Sequence, residues 1–298
     1  MKGWRRVALV LAWLWSAAAA AREPLYLWEL RDGAGMLRAW LYGTIHVCDA
    51  ACFPLPADVR AALEAADGLA LELDPEDPEL GPRLGRAGLL AAGTRLDDLL
   101  PADLRPRVAS AAARVGVPQA VLQRLQPWMA GTLLTLRAAQ QAGFETAQGV
   151  DLWLARAARA RGLPLRALES VDRQVEALSA GGEAAQRASL AEIVELIEAG
   201  AAKEYFVAML EAWRRGDVAA LERLLRDQAA SPDLAPLLAE LLDRRNREMA
   251  DAIVGDLQPG RRTFIAVGAG HFGGSEGLLA ALAARGFRLR QVEAGGDD

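Results

Sequence analysis

The sequence predicts a mixed α/β fold, with a central mixed sheet built from both chain ends and a large helical cap inserted in the middle. Three observations favour this fold. Apolar β-like runs alternate with helical patterns at both ends of the chain. A long stretch of alanine-rich helical patterns separates the two ends. Each of the two histidines among the 298 residues follows a β-like run and has a glycine three residues before it.

Residues 1–21 are typical of a secretory signal peptide. Lys2, Arg5 and Arg6 precede a short apolar run and a series of alanines, and cleavage after Ala21 fits the small-residue rule. We therefore expect an exported protein, periplasmic or secreted, with no stable membrane span after signal cleavage; a retained anchor is the alternative. The signal carries three positive charges, so the formal net charge changes from −5 to −8, which argues against nucleic acid as a partner.

Residues 22–298 are predicted to form a single domain, whose helical cap spans about 94–258. Cys48 and Cys52 are the two cysteines of the chain. Export places them in an oxidising compartment, so a disulfide between them is the favoured interpretation. The alternative is that their thiolates bind a metal ion beside His46.

The first third of the chain predicts three strands and one helix. The ranges are 25–30 and 36–45 for a hairpin, 56–66 for a helix and 68–73 for a further strand. Asp32 and Gly33 supply the hairpin turn. Glu72 lies near the end of the last strand, just before Pro75 stops it. Residues 75–93 are rich in Pro, Gly and charge, which indicates a mobile connection with a weak helix.

The middle of the chain predicts helices almost throughout, interrupted by one short strand at 164–168. Helical patterns cover 101–115, 118–125, 128–142 and 151–162, and three more with apolar stripes follow the strand. Asp151 is expected to cap the helix that it begins, and Glu169 is expected to be a surface charge after the strand. A role of either residue in the site is the alternative.

A long helix is predicted at 234–257, with Arg245 near the centre of its apolar stripe when residues are spaced by 100°. Arg244 and Arg247 fall on its flank and outer face and are expected to be solvated. Burying an unpaired guanidinium is costly, so Arg245 needs an anion or a carbonyl as partner. Arg245 is therefore either a site residue or part of a structural ion pair.

The C-terminal part predicts a strand at 262–267, a helix at 275–285 and a strand at 288–292. Gly43 precedes His46 by three residues, and Gly268 precedes His271 by the same spacing. Glycine lets a backbone or a ligand approach where a Cβ would collide, so Gly43, Gly268 and Gly270 are candidates for cofactor binding. The two motifs predict one site assembled from two distant strand ends.

His46, Glu72 and His271 all lie at predicted strand ends, where open α/β sheets place their sites. Two imidazoles and a carboxylate can hold a catalytic divalent metal with an open water position. The metal-bound water would attack a carbonyl, and Arg245 would stabilise the developing oxyanion. In a metal-free alternative, Glu72 orients a histidine that acts as general base on water. Asp74 is a second candidate for the carboxylate, and Glu72 could instead pair with Arg245.

These residues stand in motifs that resemble the TraB/GumN family. The resemblance covers nearly all of the chain after the signal and rests on these segments: Gly43-Thr44-Ile45-His46, Leu71-Glu72-Leu73, Gly149-Val150-Asp151, Leu168-Glu169-Ser170, Arg245-Asn246 and Val267-Gly268-Ala269-Gly270-His271. The family includes the TIKI proteins and is similar in fold to haem-binding ChaN-like proteins and erythromycin esterases. The cysteine pair beside His46 departs from the family pattern.

The resemblance implies that His46, Glu72, His271 and Arg245 carry the activity. The TIKI branch implies a metallopeptidase using Mn²⁺ or Co²⁺, with Zn²⁺ as a further candidate, and the esterase branch implies related residues working without metal. We therefore expect an exported metal-dependent hydrolase acting on a peptide or another carbonyl substrate. The alternatives are a metal-independent, esterase-like hydrolase and a non-catalytic protein that holds haem or metal in the same cleft. In each case the tips of the three metal-ligand candidates should lie within about 5 Å of one another.

Overall fold

The computed structural model describes residues 23–228 and 231–295, so the predicted signal peptide and its cleavage site lie outside the described residues. The described chain confirms the predicted mixed α/β fold. Its strands are β1 (Pro24–Arg31), β2 (Leu37–Thr44), β3 (Gly68–Leu71), β4 (Leu165–Ala167), β5 (Thr263–Gly268) and β6 (Arg288–Glu293). They form one six-stranded sheet in the order β4-β3-β5-β2-β1-β6. Both chain ends contribute to this sheet, as predicted.

The direction of the strands decides where the site is built. β1 pairs antiparallel with β2 through the predicted hairpin, and β6 pairs antiparallel with β1. β2, β5, β3 and β4 pair parallel to one another. The carboxyl ends of these parallel strands therefore meet at one edge of the sheet, and the chain continues from them to His46, His271, Glu72 and Glu169.

Helices cover both faces of the sheet and its carboxyl edge. In chain order they are α1 (Ala57–Glu64), α2 (Leu80–Ala87), α3 (Leu96–Leu99), α4 (Leu104–Arg114), α5 (Gln119–Leu122), α6 (Pro127–Gln141), α7 (Val150–Ala160), α8 (Val171–Leu178), α9 (Gly182–Glu198), α10 (Ala202–Arg214), α11 (Val218–Gln228), α12 (Ala235–Leu238), α13 (Arg245–Asp256) and α14 (Leu278–Ala284). The weak helix expected within 75–93 is α2. The predicted cap range contains α3 to α13 but also β4, and α7 packs against β3 and β4. Part of that range therefore completes the sheet layer.

The prediction of one continuous α-helix at 234–257 is wrong. A π-helical segment, Ala239–Arg244, separates α12 from α13. A π turn has more residues than an α turn, so a fixed spacing of 100° does not describe this stretch. Arg245 begins α13, and its Nη1 donates to the carbonyl oxygen of Leu241 at 3.0 Å, within the widened turn. Its burial is as predicted, since the residue is only 3% exposed.

The sheet is buried on both of its faces. Leu41 and Tyr42 are consecutive residues of β2 that point to opposite sides, and they are 0% and 2% exposed. Because both faces of the sheet are covered, polar side chains can reach a cavity at the edge where the carboxyl ends of the parallel strands meet. Within the described ranges, no helix has both the length and the hydropathy needed to cross a membrane.

Candidate functional site

His46 lies two residues beyond β2, and its side chain is 62% exposed. Its Nδ1 lies 3.3 Å from Oδ1 of Asp151. The start of α7 makes this possible, because the Val150 N–H donates to the carbonyl oxygen of Ile45 at 2.9 Å. A Cβ on Gly149 would lie 2.6 Å from the His46 carbonyl oxygen, so a bare backbone is required there. The negative charge of Asp151 raises the pKa of His46.

Asp151 is therefore not the helix cap that the sequence predicts. Gly149 occupies the cap position, and Asp151 lies in the first turn of α7. Its carboxylate faces His46 because the backbone of this turn is fixed against the end of β2. The sequence shows an acidic residue near a helix start, but it does not show which distant loop that helix contacts.

Glu72 follows β3 directly and is 7% exposed. Its Oε1 accepts from the Gly268 N–H at 2.5 Å, and its Oε2 accepts from Nη2 of Arg245 at 2.7 Å. Burial by itself would raise the pKa of Glu72, but the surrounding basic groups, His271, Arg245 and His46, lower it to about 2. Glu72 is thus a buried carboxylate with both oxygens bonded. The alternative carboxylate, Asp74, forms an ion pair with Arg159 instead.

Arg245 uses all five of its N–H donors. Nε and Nη2 donate to the two carboxylate oxygens of Glu169 at 2.9 and 2.6 Å, and Nη2 also donates to Glu72. Nη1 donates to Leu241 and lies 3.2 Å from Nε2 of His271. Arg245 is therefore held in a buried ion-pair network. It could stabilise an oxyanion, as the sequence suggests, only by breaking one of these contacts.

Glu169 is not the surface charge that was predicted. Its side chain is 6% exposed, and burial raises its pKa. It sits opposite Arg245 because β4 ends beside β3, at the same edge of the sheet. The rule that selected Glu72, a carboxylate just after an apolar strand, applies to Glu169 as well and could have found it.

His271 is 6% exposed and has a partner at each ring nitrogen. Nδ1 lies 2.6 Å from Oδ1 of Asn246, while Nδ2 of Asn246 donates to the carbonyl oxygen of Glu276 at 2.8 Å. This second bond fixes the amide, so its oxygen accepts from the His271 Nδ1–H. Nε2 is then the unprotonated nitrogen and accepts from Arg245. Burial lowers the pKa of His271 to about 4, so the ring is neutral at neutral pH.

Gly268 lies at the centre of the predicted site. A Cβ on it would lie 2.9 Å from Oε1 of Glu72, 3.4 Å from Nε2 of His46 and 3.7 Å from Cδ2 of His271. The three predicted side chains therefore surround this one backbone position, which must be glycine because a Cβ would displace Glu72.

The other two glycines have different surroundings. A Cβ on Gly270 would lie 3.0 Å from Cδ1 of Leu225. Gly43 lies under the ring of Tyr26, where a Cβ would collide, and its carbonyl oxygen accepts from Nε1 of Trp213 at 2.7 Å. Gly43 therefore serves the packing of two aromatic side chains, and its role in cofactor binding stays a prediction.

As arranged, the predicted donors do not fit a divalent metal ion. His271 and Glu72 approach to 3.9 Å between Nε2 and Oε2, but both of these atoms face the Arg245 guanidinium, which repels a cation. Within the described ranges, the one group of three His, Cys, Asp or Glu donor atoms that lie within 4.8 Å of one another is Cys48, Asp49 and Cys52. His46 therefore does not complete a set of that size with Glu72 and His271.

The cysteines near His46 do not supply metal ligands either. Cys48 and Cys52 are paired at disulfide distance, as predicted, with their Cα atoms 6.3 Å apart. A disulfide removes the thiolates that a metal would need. The pair instead shapes the loop after β2. The Cys48 N–H donates to the carbonyl oxygen of Glu145, and the Glu145 N–H donates to the carbonyl oxygen of Cys48.

Two cavities meet at this edge of the sheet. The larger has a volume of about 490 Å³ and extends between α6, α8, α10 and α11. The smaller has a volume of about 200 Å³ and lies between the same edge and the start of α2. Thr44, His46, Glu72 and Gln174 line both cavities. A ligand can therefore lie across His46 with one part in each cavity.

Sequence reasoning missed Asn246 and Gln174 as site residues. A signal existed for Asn246, because it is a polar residue beside Arg245 in an otherwise apolar stripe, and it is 2% exposed. Gln174 lies on α8, a short helix of mixed polarity, and nothing in its local sequence distinguishes it from a solvated residue.

Comparison with known proteins identifies a family. The family model described as the TraB/PrgY/gumN family matches residues 26–291. No curated protein and no solved structure matches the chain. The matched range includes every strand end that forms the site. Because the match covers most of the sequence, the chain belongs to the TraB/PrgY/gumN family.

Proposed function

We propose that the protein is a hydrolase in which His46, supported by Asp151, activates water without a metal ion. One observation carries the proposal. His46 lines both cavities, and it turns Nδ1 toward the Asp151 carboxylate and Nε2 toward Gly268 in the wall of the larger cavity. A carboxylate behind one imidazole nitrogen holds the tautomer whose other nitrogen accepts a proton.

The reaction follows from this arrangement. Neutral His46 keeps its proton on Nδ1, so a water molecule hydrogen-bonded to Nε2 gives up a proton as its oxygen bonds to the substrate's carbonyl carbon. The bond to the leaving group then breaks, and the leaving group takes the proton from Nε2. Between the two transfers His46 is positively charged, and Asp151 stabilises that charge.

Glu72, Arg245 and Glu169 act as positioning residues in this scheme. Glu72 holds the Gly268 N–H, and Arg245 holds Glu72, so the loop after β5 is fixed at the floor of the site. His271 is neutral and bonded at both nitrogens, which suits it to shaping the floor rather than to accepting a proton.

The metal-dependent hydrolase predicted from the sequence is the second candidate. The convergence of His46, Glu72 and His271 around Gly268 favours it. It requires Arg245 to release Nε2 of His271 and Oε2 of Glu72, a rearrangement that leaves the guanidinium with fewer partners. A third possibility, a protein that binds a ligand in the cleft without turnover, requires no proton acceptor and leaves the His46–Asp151 pair without a role.

Hydrolysis by the purified protein lacking residues 1–21 tests the proposal. The substrates are p-nitrophenyl esters and a mixture of peptides, with His46→Ala as the variant. We expect turnover that falls at least about 100-fold in His46→Ala, while the circular dichroism and melting temperature stay unchanged because the side chain is exposed. Full activity in His46→Ala would show that His46 is not the base. No turnover of any substrate would favour a protein that binds a ligand in the cleft without turnover.

A further inference from the structure

The larger cavity points to the class of substrate. We propose that it binds the linear aliphatic acyl chain of an ester, so that the carbonyl carbon lies at His46 and the alcohol part lies in the smaller cavity. The hydrolysis of such an ester rests on the proposed function, but the binding of the chain does not.

The walls of the larger cavity are mainly hydrocarbon. Four helices, the π-helical segment and the loop after α6 contribute large apolar side chains, among them Leu136, Phe144, Leu178, Phe206, Leu225 and Leu241. Transferring apolar surface from water to such walls is favourable by roughly 25 cal/mol per Å². A volume of about 490 Å³ is within the usual range for a small-molecule site and continues directly to His46.

The charged groups of the cavity do not favour an anionic ligand. Its cationic side chains are those of Arg226, Arg245 and His46, and each has a partner within the protein; the partner of His46 is Asp151. Arg226 pairs with Glu222 at 2.9 Å, and Arg245 has a partner for every N–H. The carboxyl group of Asp243 also lines the cavity and would repel a second anion. A neutral apolar group fits these surroundings better than a phosphate or a carboxylate.

A peptide fits the cavity less well than an acyl chain does. An extended peptide needs partners for its backbone N–H and C=O groups, which a sheet edge commonly supplies. The edge strands of the described sheet are β4 and β6, whereas this cavity lies above strand ends and between helices, whose backbone groups bond internally. An acyl chain carries no such groups and can be buried without that cost.

A chain-length series measures this preference. We expect kcat/KM for p-nitrophenyl esters to rise by roughly threefold to fourfold per methylene from butanoate to decanoate, the factor that burying one methylene supplies. Leu136→Trp fills the cavity and should remove this dependence. Leu133→Trp is the matched control, because Leu133 is also a half-buried leucine of α6 but does not line the cavity. In this variant kcat/KM should still rise with chain length.

A binding measurement separates this proposal from the hydrolase proposal. Methyl nonyl ketone carries the carbonyl and the chain but cannot be hydrolysed, and methyl ethyl ketone is its short control. By calorimetry the long ketone should bind to the His46→Ala protein at least about 100-fold more tightly than the short one, and Leu136→Trp should abolish the difference. Chain-dependent binding without any ester turnover would overturn the hydrolase and leave the acyl-chain site standing. Equal binding of the two ketones, or ester turnover that does not depend on chain length, would overturn the acyl-chain site.

Discussion

Arg245 is the side chain that pairs with both buried carboxylates of the site, those of Glu169 and Glu72. It binds Glu169 through two parallel hydrogen bonds and Glu72 through one, and both carboxylates are almost fully buried. Only arginine has the planar fork of donors that can serve two carboxylates and a carbonyl at once. Removing it would leave two buried carboxylates without a cation.

We predict that Arg245→Ala lowers the free energy of unfolding by about 3 to 5 kcal/mol, the usual cost of breaking a buried ion pair. Arg247→Ala is the control on the same helix, since Arg247 forms an exposed pair with Glu276 and should lose under about 1 kcal/mol. Urea denaturation of both variants provides the comparison. Equal losses would mean that the buried Arg245 network contributes no more to stability than an exposed ion pair does.

We also predict that Asp151 controls the pH dependence of turnover through His46. His46 must be neutral to accept a proton, and Asp151 raises its pKa, so activity should rise as the pH passes upward through that raised pKa. In Asp151→Asn the carboxylate charge is lost, the pKa of His46 falls, and the acidic limb of the profile moves to lower pH. The maximal rate should drop roughly 100-fold, because the tautomer is no longer held.

Asp172→Asn is the matched control for this prediction. Asp172 pairs with Arg83 at an exposed position on α8 and lines neither cavity, so the pH profile of Asp172→Asn should overlay that of the unchanged protein. If the acidic limb of the pH profile does not move in Asp151→Asn, the group that titrates is not His46.

At the scale of single elements, the site is made by the loops that follow four parallel strands. The sequence predicts all four strands, and it singles out the residues that follow β2, β3 and β5, namely His46, Glu72 and His271. β4 has three residues, so the carboxylate after it appeared to be a surface charge. Asp151 could not be assigned to His46 from its sequence, since the contact depends on how α7 docks against β2.

The loop after β5 gives an element-level prediction. In Gly268→Ala the added methyl would lie 2.9 Å from Oε1 of Glu72, so either the carboxylate or the loop must shift. Displacing a catalytic arrangement by about an ångström costs up to about 100-fold in rate, and we expect a loss of that order in hydrolysis. Gly255→Ala on α13 is the control, because nothing lies within 4 Å of its added methyl. It should keep its activity and gain about 0.5 to 1 kcal/mol in stability.

At the scale of the whole molecule, the sheet and the helices above its edge form the cavity together. The alternation of strands and helices predicted the sheet from both chain ends, and the alanine-rich middle predicted the helical cover. The π-helical segment could not be predicted, because its apolar residues also satisfy an ordinary helical period. It matters for the site, since this segment lines the cavity and supplies the carbonyl that binds Arg245.

The central claim is that His46 activates water without a metal ion, and its most direct test is the metal dependence of hydrolysis. The protein lacking residues 1–21 would be stripped with a chelator, its metal content measured, and its rate compared before and after adding back Mn²⁺, Co²⁺ or Zn²⁺. We predict that the stripped protein, holding far less than one metal ion per chain, retains its full rate and that this rate is lost in His46→Ala. A rate that vanishes on stripping and returns in proportion to the metal bound would contradict the account and favour the metal-dependent hydrolase.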